Sequence, residues 1–358
     1  MARFDSAVAR RVGALAAYAG GAVTAAGALG VGVLFGQALI ARLTIPGAEA
    51  PPPRCAGEYG SAYSGEPLRL AVLGDSTAAG YGVRTASETP GALLATWISD
   101  ALQRPVRLCC PAFVGAISAW LAPQVETAIE EGVDLAIIFI GANDVTSRAN
   151  EAEAVRHLAE AVRRLREAGA EVVVATCPDL GTVQPIQPPL RWLARAWSRR
   201  LAAAQTVATV AAGGRTVSLG DLLGPRFAAA PDRMFGADRY HPSAEGYRAA
   251  AEVVLPSALA ALGVETGEER RSTVMSLQDA AGRAAQHPGT EVTGDERGAR
   301  AFPGEDLLGR VRRWVHSVIP ARGATEAVPH RPVAAPEPQL AVPSVLSGGS
   351  TSTVASAD

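Results

Sequence analysis

The sequence predicts a three-layer α/β/α domain, and three observations predict it. From residue 67 to residue 263, apolar runs with strand character alternate with helical patterns. The strand-like runs are apolar at nearly every position, which marks a parallel sheet covered on both faces. Two polar motifs, Gly74-Asp75-Ser76 and Gly141-Ala142-Asn143-Asp144, each follow directly on such a run, where open α/β sheets place their sites.

The elements follow in order. A strand over 68–73 is followed by a helix over 93–102, a strand over 106–110 by a helix over 117–130, and a strand over 135–140 by a helix over 152–168. A strand over 172–176 leads into a long helix over 190–212, then a strand over 216–219 and a last helix over 243–262. The alternation and the run lengths are those of βαβ units.

Outside this unit the chain changes character. Residues 12–41 carry no charge, with Arg3, Arg10 and Arg11 before them and Arg42 after. That is long enough to cross a bilayer, for which about 20 apolar residues suffice. The sequence therefore predicts a cytoplasmic stub and membrane anchor over 1–45, with the body extracytoplasmic by the positive-inside rule. A signal peptide cleaved after Ala48-Glu49-Ala50 is the alternative, and would make the protein secreted; its apolar core is normally only about 7–15 residues, and Pro51 stands directly after that site. Residues 46–66 read as a Pro-rich linker. The tail, 264–358, is rich in Pro, Ala, Ser and Gly and reads as mostly disordered. Within it, 306–319 sets Leu307, Leu308, Val311, Trp314, Val315 and Val318 at helical spacing beside Arg310, Arg312 and Arg313. Such a basic amphipathic helix lies on a membrane surface, docks on the domain or forms only transiently.

Composition excludes several function classes. A net charge of −2 over 358 residues gives no electrostatic footprint for nucleic acid. The chain has no lysine, so Schiff-base chemistry, pyridoxal enzymes and Walker-type phosphate loops are out. His157, His287, His316 and His330 lie on a solvated helix face or in the tail, and no His or Cys pair stands at metal spacing. No metal and no cofactor is expected.

Three motifs agree in order with acyl transfer. A serine hydroxyl attacks an ester only when a neighbouring imidazole takes its proton, and His241 is the candidate base for Ser76. Asp238, three residues before His241, can bond the other ring nitrogen, hold its tautomer and stabilise the imidazolium. The oxyanion needs donors fixed in advance: the Asn143 amide and the backbone N–H groups of Ser76 and of a glycine after the second strand.

In this block order, Gly-Asp-Ser, Gly, Gly-x-Asn-Asp and Asp-x-x-His, the chain resembles the SGNH (GDSL-type) hydrolases over residues 68–262. The resemblance implies a flavodoxin-like strand order. It implies Ser76 as nucleophile and oxyanion donor, Asn143 as side-chain donor, and Asp238 and His241 as the rest of the triad. Gly115 takes the glycine position, or is a plain helix-entry turn. Thr77 stands where the family's name has Leu. The implied function is a serine esterase acting on a lipid, glycan or small-molecule ester; an acyltransferase using the same triad and a membrane-tethered binding protein are the alternatives. The loop 181–189 is expected either to line the pocket or simply to cover it, with Met234 and Phe235 as further candidates. In a flavodoxin-like order Cys177 is too far from Cys109 and Cys110 to bridge them, so any disulfide is expected to join Cys55, in the linker, to Cys109 or Cys110.

Overall fold

The computed structural model describes residues 32–34, 36–40 and 50–264. Its centre is a six-stranded sheet: β1 (Gly57–Tyr59), β2 (Leu68–Gly74), β3 (Val106–Cys109), β4 (Leu135–Phe139), β5 (Glu171–Ala175) and β6 (Arg215–Val217). Their spatial order is β1-β3-β2-β4-β5-β6. The five strands from β2 onward are parallel and have the flavodoxin-like order.

The sheet is not purely parallel, because β1 pairs antiparallel with β3 at the edge, Glu58 opposite Arg107. This corrects the reading of residues 46–66 as linker throughout. The strand Gly57-Glu58-Tyr59 has no apolar run to announce it; it exists because β3 leaves an open edge, and an Arg107–Glu58 ion pair at 2.8 Å crosses the pairing. Cys55 just before it is buried, so it is part of the domain.

Strand parity builds the two faces. Leu70 and Val72 of β2, Ile137 of β4 and Val173 of β5 point to one side, where they meet helix α2 (Pro90–Leu102) and helix α9 (Ala244–Ala261). Ala71, Leu73, Ile138 and Val174 point to the other, against α3 (Leu121–Glu130) and α5 (Glu151–Glu167). Burying each Leu, Ile or Val contributes roughly 1.5–3 kcal/mol, so every residue of β4 being buried explains its unbroken apolar sequence. A 22-residue helix, α6 (Leu190–Ala211), packs beside α5.

The helices begin where side chains can cap them. Thr89 caps α2 with Pro90 at its first turn, Asn150 caps α5, and the Ser243 hydroxyl accepts from Gly246 N–H at the start of α9. Short helices the periodicity does not announce complete the carboxyl edge: α1 (Ser76–Ala79), α4 (Ala142–Thr146), α7 (Leu219–Ala229) and α8 (Pro231–Met234). Leu219, expected at the end of a strand, instead starts α7.

Most of the proposed 12–41 span lies outside the described residues. Those described, 32–34 and 36–40, are helical, and Gln37 bonds the chain ahead of α6, donating to Pro188 O at 2.6 Å and accepting from Leu190 N at 3.1 Å. Among the described residues no helix is long and apolar enough to cross a membrane. The tail from residue 265 on, including the amphipathic segment 306–319, also lies outside them.

Candidate active site

After β2 the chain runs to one side to form β3, then crosses to the other to form β4. The strand order therefore reverses about β2, opening a crevice at its carboxyl end, and Ser76 lies two residues past that end. Gly74 has φ +133°, and a Cβ there would stand 1.8 Å from the Phe139 carbonyl oxygen, so only glycine lets β2 run close beside β4 into this turn. Asp75 caps the one-turn helix α1, its carboxylate accepting from Thr77 N–H at 2.8 Å. Ser76 takes the first helical position, where backbone N–H groups have no partner within the helix.

The last loop brings the other motif to the same place. Phe235 and Pro242 bridge antiparallel across the turn that holds Asp238 and His241. His241 Nε2 lies 3.1 Å from Ser76 Oγ, and Nδ1 lies 2.6 Å from Asp238 Oδ2. The second oxygen, Oδ1, accepts the backbone N–H groups of Tyr240 at 2.9 Å and His241 at 3.0 Å. Burial alone would raise the Asp238 carboxyl, but these bonds from His241 and from the two backbone groups outweigh it and hold the carboxyl below its ordinary range. Asp238 is thus a carboxylate at neutral pH. The imidazole is held edge-on between the Tyr81 and Tyr240 rings, with centroids at 4.7 and 4.9 Å.

Asn143 comes from the strand on the other side. Gly141, at φ +135°, passes so close to Cys177 that a Cβ would meet that side chain at 2.8 Å. One Nδ2 hydrogen of Asn143 goes to Ala116 O at 3.0 Å; an amide nitrogen has two, and Asn143 also lines the cavity beside Ser76. Gly115 sits at φ +87° in the exposed loop, next to that acceptor Ala116 and outside the cavity lining. Asp144, the last residue of its block, is buried and fixes this loop: it accepts from Ser118 N–H at 3.0 Å and from Ser118 Oγ at 2.9 Å. The sequence assigned Asp144 no role; its partner is 26 residues away and no spacing announces it.

A cavity of about 80 Å³ opens beside Ser76 and His241. Its inner wall is Leu180, Val183, Leu219, Leu223, Phe227 and Phe235, with Phe227 and Phe235 stacked edge to face at 4.9 Å. The loop after β5 thus reaches the cavity only through its first residues, Pro178 to Val183, while Ile186 is core and Met234 is buried away from the lining. The Leu219, Leu223 and Phe227 wall was not expected from sequence. Among the described residues no group of His, Cys, Asp and Glu could hold a metal ion.

A serine, an imidazole and a carboxylate in hydrogen-bonded series, with an amide donor beside the serine, is an arrangement for acyl transfer. The model of the GDSL-like Lipase/Acylhydrolase family matches residues 72–249. The chain is 43% identical over 235 residues to the GDSL-like esterase Rv1075c of Mycobacterium tuberculosis (strain ATCC 25618 / H37Rv), an alignment spanning 62% of this chain and 74% of that protein. Among solved structures it is similar to TesA, with 24% identity, TM-score 0.44, and coverage of 54% of this chain and 99% of that one. It is also similar to Axe2, an acetylxylan esterase from Geobacillus stearothermophilus, with 18% identity, TM-score 0.42, and coverage of 56% and 96%. The chain belongs to the GDSL-like lipase/acylhydrolase family, and with it to the SGNH superfamily of ester hydrolases.

Proposed function

We propose that this protein hydrolyses esters of short, apolar acyl groups through an acyl-Ser76 intermediate. The observation that carries the reading is the series Ser76 Oγ, His241, Asp238, at 3.1 and 2.6 Å, standing at the mouth of the apolar cavity. With Nδ1–H donating to Asp238, Nε2 keeps its lone pair toward Ser76. It accepts the hydroxyl proton as Oγ bonds to the ester carbonyl carbon. The oxyanion takes hydrogen bonds from Ser76 N–H and the free Asn143 amide hydrogen. His241 then returns the proton to the leaving alcohol, and water releases the acid by the same steps.

The cavity supports the acyl half of this reading. A cavity of about 80 Å³ with an apolar inner wall matches a short acyl chain better than a long one. The test is a p-nitrophenyl ester series, acetate to palmitate, with Ser76→Ala beside it. The expected result is turnover of the shortest esters, declining steeply beyond about six carbons, and none in Ser76→Ala. Equal rates in Ser76→Ala would refute the serine mechanism.

The uncharged run 12–41 with its arginine flanks supports a membrane anchor holding this domain on the extracytoplasmic side. Recovery of the full chain in the soluble fraction of lysed cells would refute it.

A further inference from the structure

At the carboxyl edge of the sheet two strand ladders stop where the crevice opens, leaving backbone groups beyond them without a strand partner. Pairing of β2 with β3 stops at Ala71 and Cys109, although β2 continues along β4 to Gly74. Asp75 N–H bonds the β4 side, at Phe139 O, so by strand alternation Gly74 turns its own N–H and C=O to the side that β3 has left. Gln124 of α3 fills it. Gly74 N–H donates to Gln124 Oε1 at 2.7 Å, and Gln124 Nε2 donates to Gly74 O at 3.1 Å, an oxygen that also accepts Phe113 N–H at the longer distance of 3.4 Å.

The same device recurs between β4 and β5. Their ladder ends at Phe139 and Ala175, beyond which the two chains part around the crevice. Gln205 of α6 bridges them: Cys177 N–H donates to its Oε1 at 2.7 Å and its Nε2 donates to Ile140 O at 3.1 Å. Both glutamines are almost wholly buried, at 2% and 0% exposure, and each uses its amide oxygen and its amide nitrogen on backbone atoms. A planar amide offers one acceptor beside one donor, the pattern of a strand's own edge. Each side chain therefore makes the ladder rung that a parting strand cannot.

These two rungs lie directly behind the reacting groups. Gly74 is two residues before Ser76, and Ile140 is three before Asn143. The chain between has little slack: Gly74 is pressed on Phe139 O, and a Cβ on Gly141 would stand 3.0 Å from Gln205 Nε2. We propose that Gln124 and Gln205 are positioning residues for ester hydrolysis, Gln124 setting the height of Ser76 and its N–H, and Gln205 setting Asn143. The proposal rests on the reading of Ser76 as nucleophile and Asn143 as oxyanion donor. Displacements of about 1 Å at such groups cost about a hundredfold in rate, so loss of either rung is expected to slow the site tenfold or more.

The test measures, in the full chain, the second-order rate of covalent labelling by a fluorophosphonate, expressed per titratable serine so that unfolded protein does not count. The variants are Gln124→Met and Gln205→Met, which keep length and lose both bonds. The control is Thr206→Val, beside Gln205, which loses a buried bond to Ala202 O within the helix. Both methionine variants should label at least tenfold more slowly, with Thr206→Val at the wild-type rate. Folded methionine variants that label at the wild-type rate overturn the proposal, as does a Thr206→Val variant equally slow. Should a methionine variant not fold, Gln124→Asn and Gln205→Asn, one methylene short of spanning both partners, take its place; at least threefold slower labelling supports the proposal and wild-type labelling overturns it. A wild-type chain that does not label refutes the serine-nucleophile reading itself.

Discussion

Replacing Asp238 with asparagine tests the Ser76–His241–Asp238 series most sharply, because the surrounding backbone dictates how the new amide must sit. Asp238 Oδ1 accepts two backbone N–H groups, from Tyr240 and His241, at 2.9 and 3.0 Å. An amide nitrogen cannot accept, so the asparagine oxygen must stay on those two donors and its NH₂ must face His241 Nδ1, the position Oδ2 holds at 2.6 Å. That NH₂ donates, so Nδ1 must accept and Nε2 must carry the proton. The imidazole then points a donor at Ser76 Oγ and cannot act as base. The fold is unchanged, while the tautomer is wrong, a defect that costs about 10⁴ in kcat in serine hydrolases, or about 5.5 kcal/mol at 1.36 kcal/mol per decade. The assay is kcat on p-nitrophenyl acetate for wild type, Asp238→Asn and Ser76→Ala, with thermal melts to show that all three fold. A folded Asp238→Asn variant within tenfold of wild type would refute this account of how His241 is held.

Other consequences follow from the same structure. Burial pushes the Asp75 carboxyl from its ordinary 3.8 up to about 7, so between about pH 4 and 7 the folded state holds a proton that the unfolded chain releases. Stability from this group is therefore present at low pH and lost as pH rises to about 7; Asp75→Asn keeps the cap on Thr77 and cannot ionise, so its melting temperature should gain on wild type across that window, by the equivalent of ~4 kcal/mol at most, and a pH-independent difference would count against it. Phe227→Ala should open the inner wall of the cavity and raise the octanoate-to-acetate ratio of kcat/KM, by about fourfold for each methylene newly buried, at a stability cost of about 3–5 kcal/mol; an unchanged chain-length profile in a folded variant sinks the acyl-pocket assignment. Extending the β1–β3 register by two residues sets Cys55 opposite Cys110, and the hydrogen bond from Cys110 draws the Cys55 thiol down to about 7. Oxidised glutathione should therefore join these two free thiols and leave Cys109 and Cys177 open to alkylation, stabilising the fold by about 4 kcal/mol for the roughly 55-residue loop closed; four alkylated cysteines after oxidation would exclude the pair.

Much of this molecule is local and so was legible in its sequence. The apolar runs at β2, β4 and β5 announce buried parallel strands because both faces of each must be covered, and Gly74-Asp75-Ser76 and Asp238-Arg239-Tyr240-His241 are compact enough to carry their chemistry in adjacent residues. What depends on partners distant along the chain was not legible. The strand β1 has no pattern of its own and forms because β3 offers it an edge. The cavity wall of Leu219, Leu223 and Phe227 has the look of ordinary core until α7 is folded over the crevice. Gln124 and Gln205 sit in helices as two polar residues among many; they matter because strands 50 and 65 residues earlier leave backbone groups unpaired where they arrive. Sequence determined which side chains could react, since chemistry belongs to residue types at short spacing. Tertiary structure alone decided how they are held, because a buried hydrogen bond takes its partner from whatever the fold brings within reach.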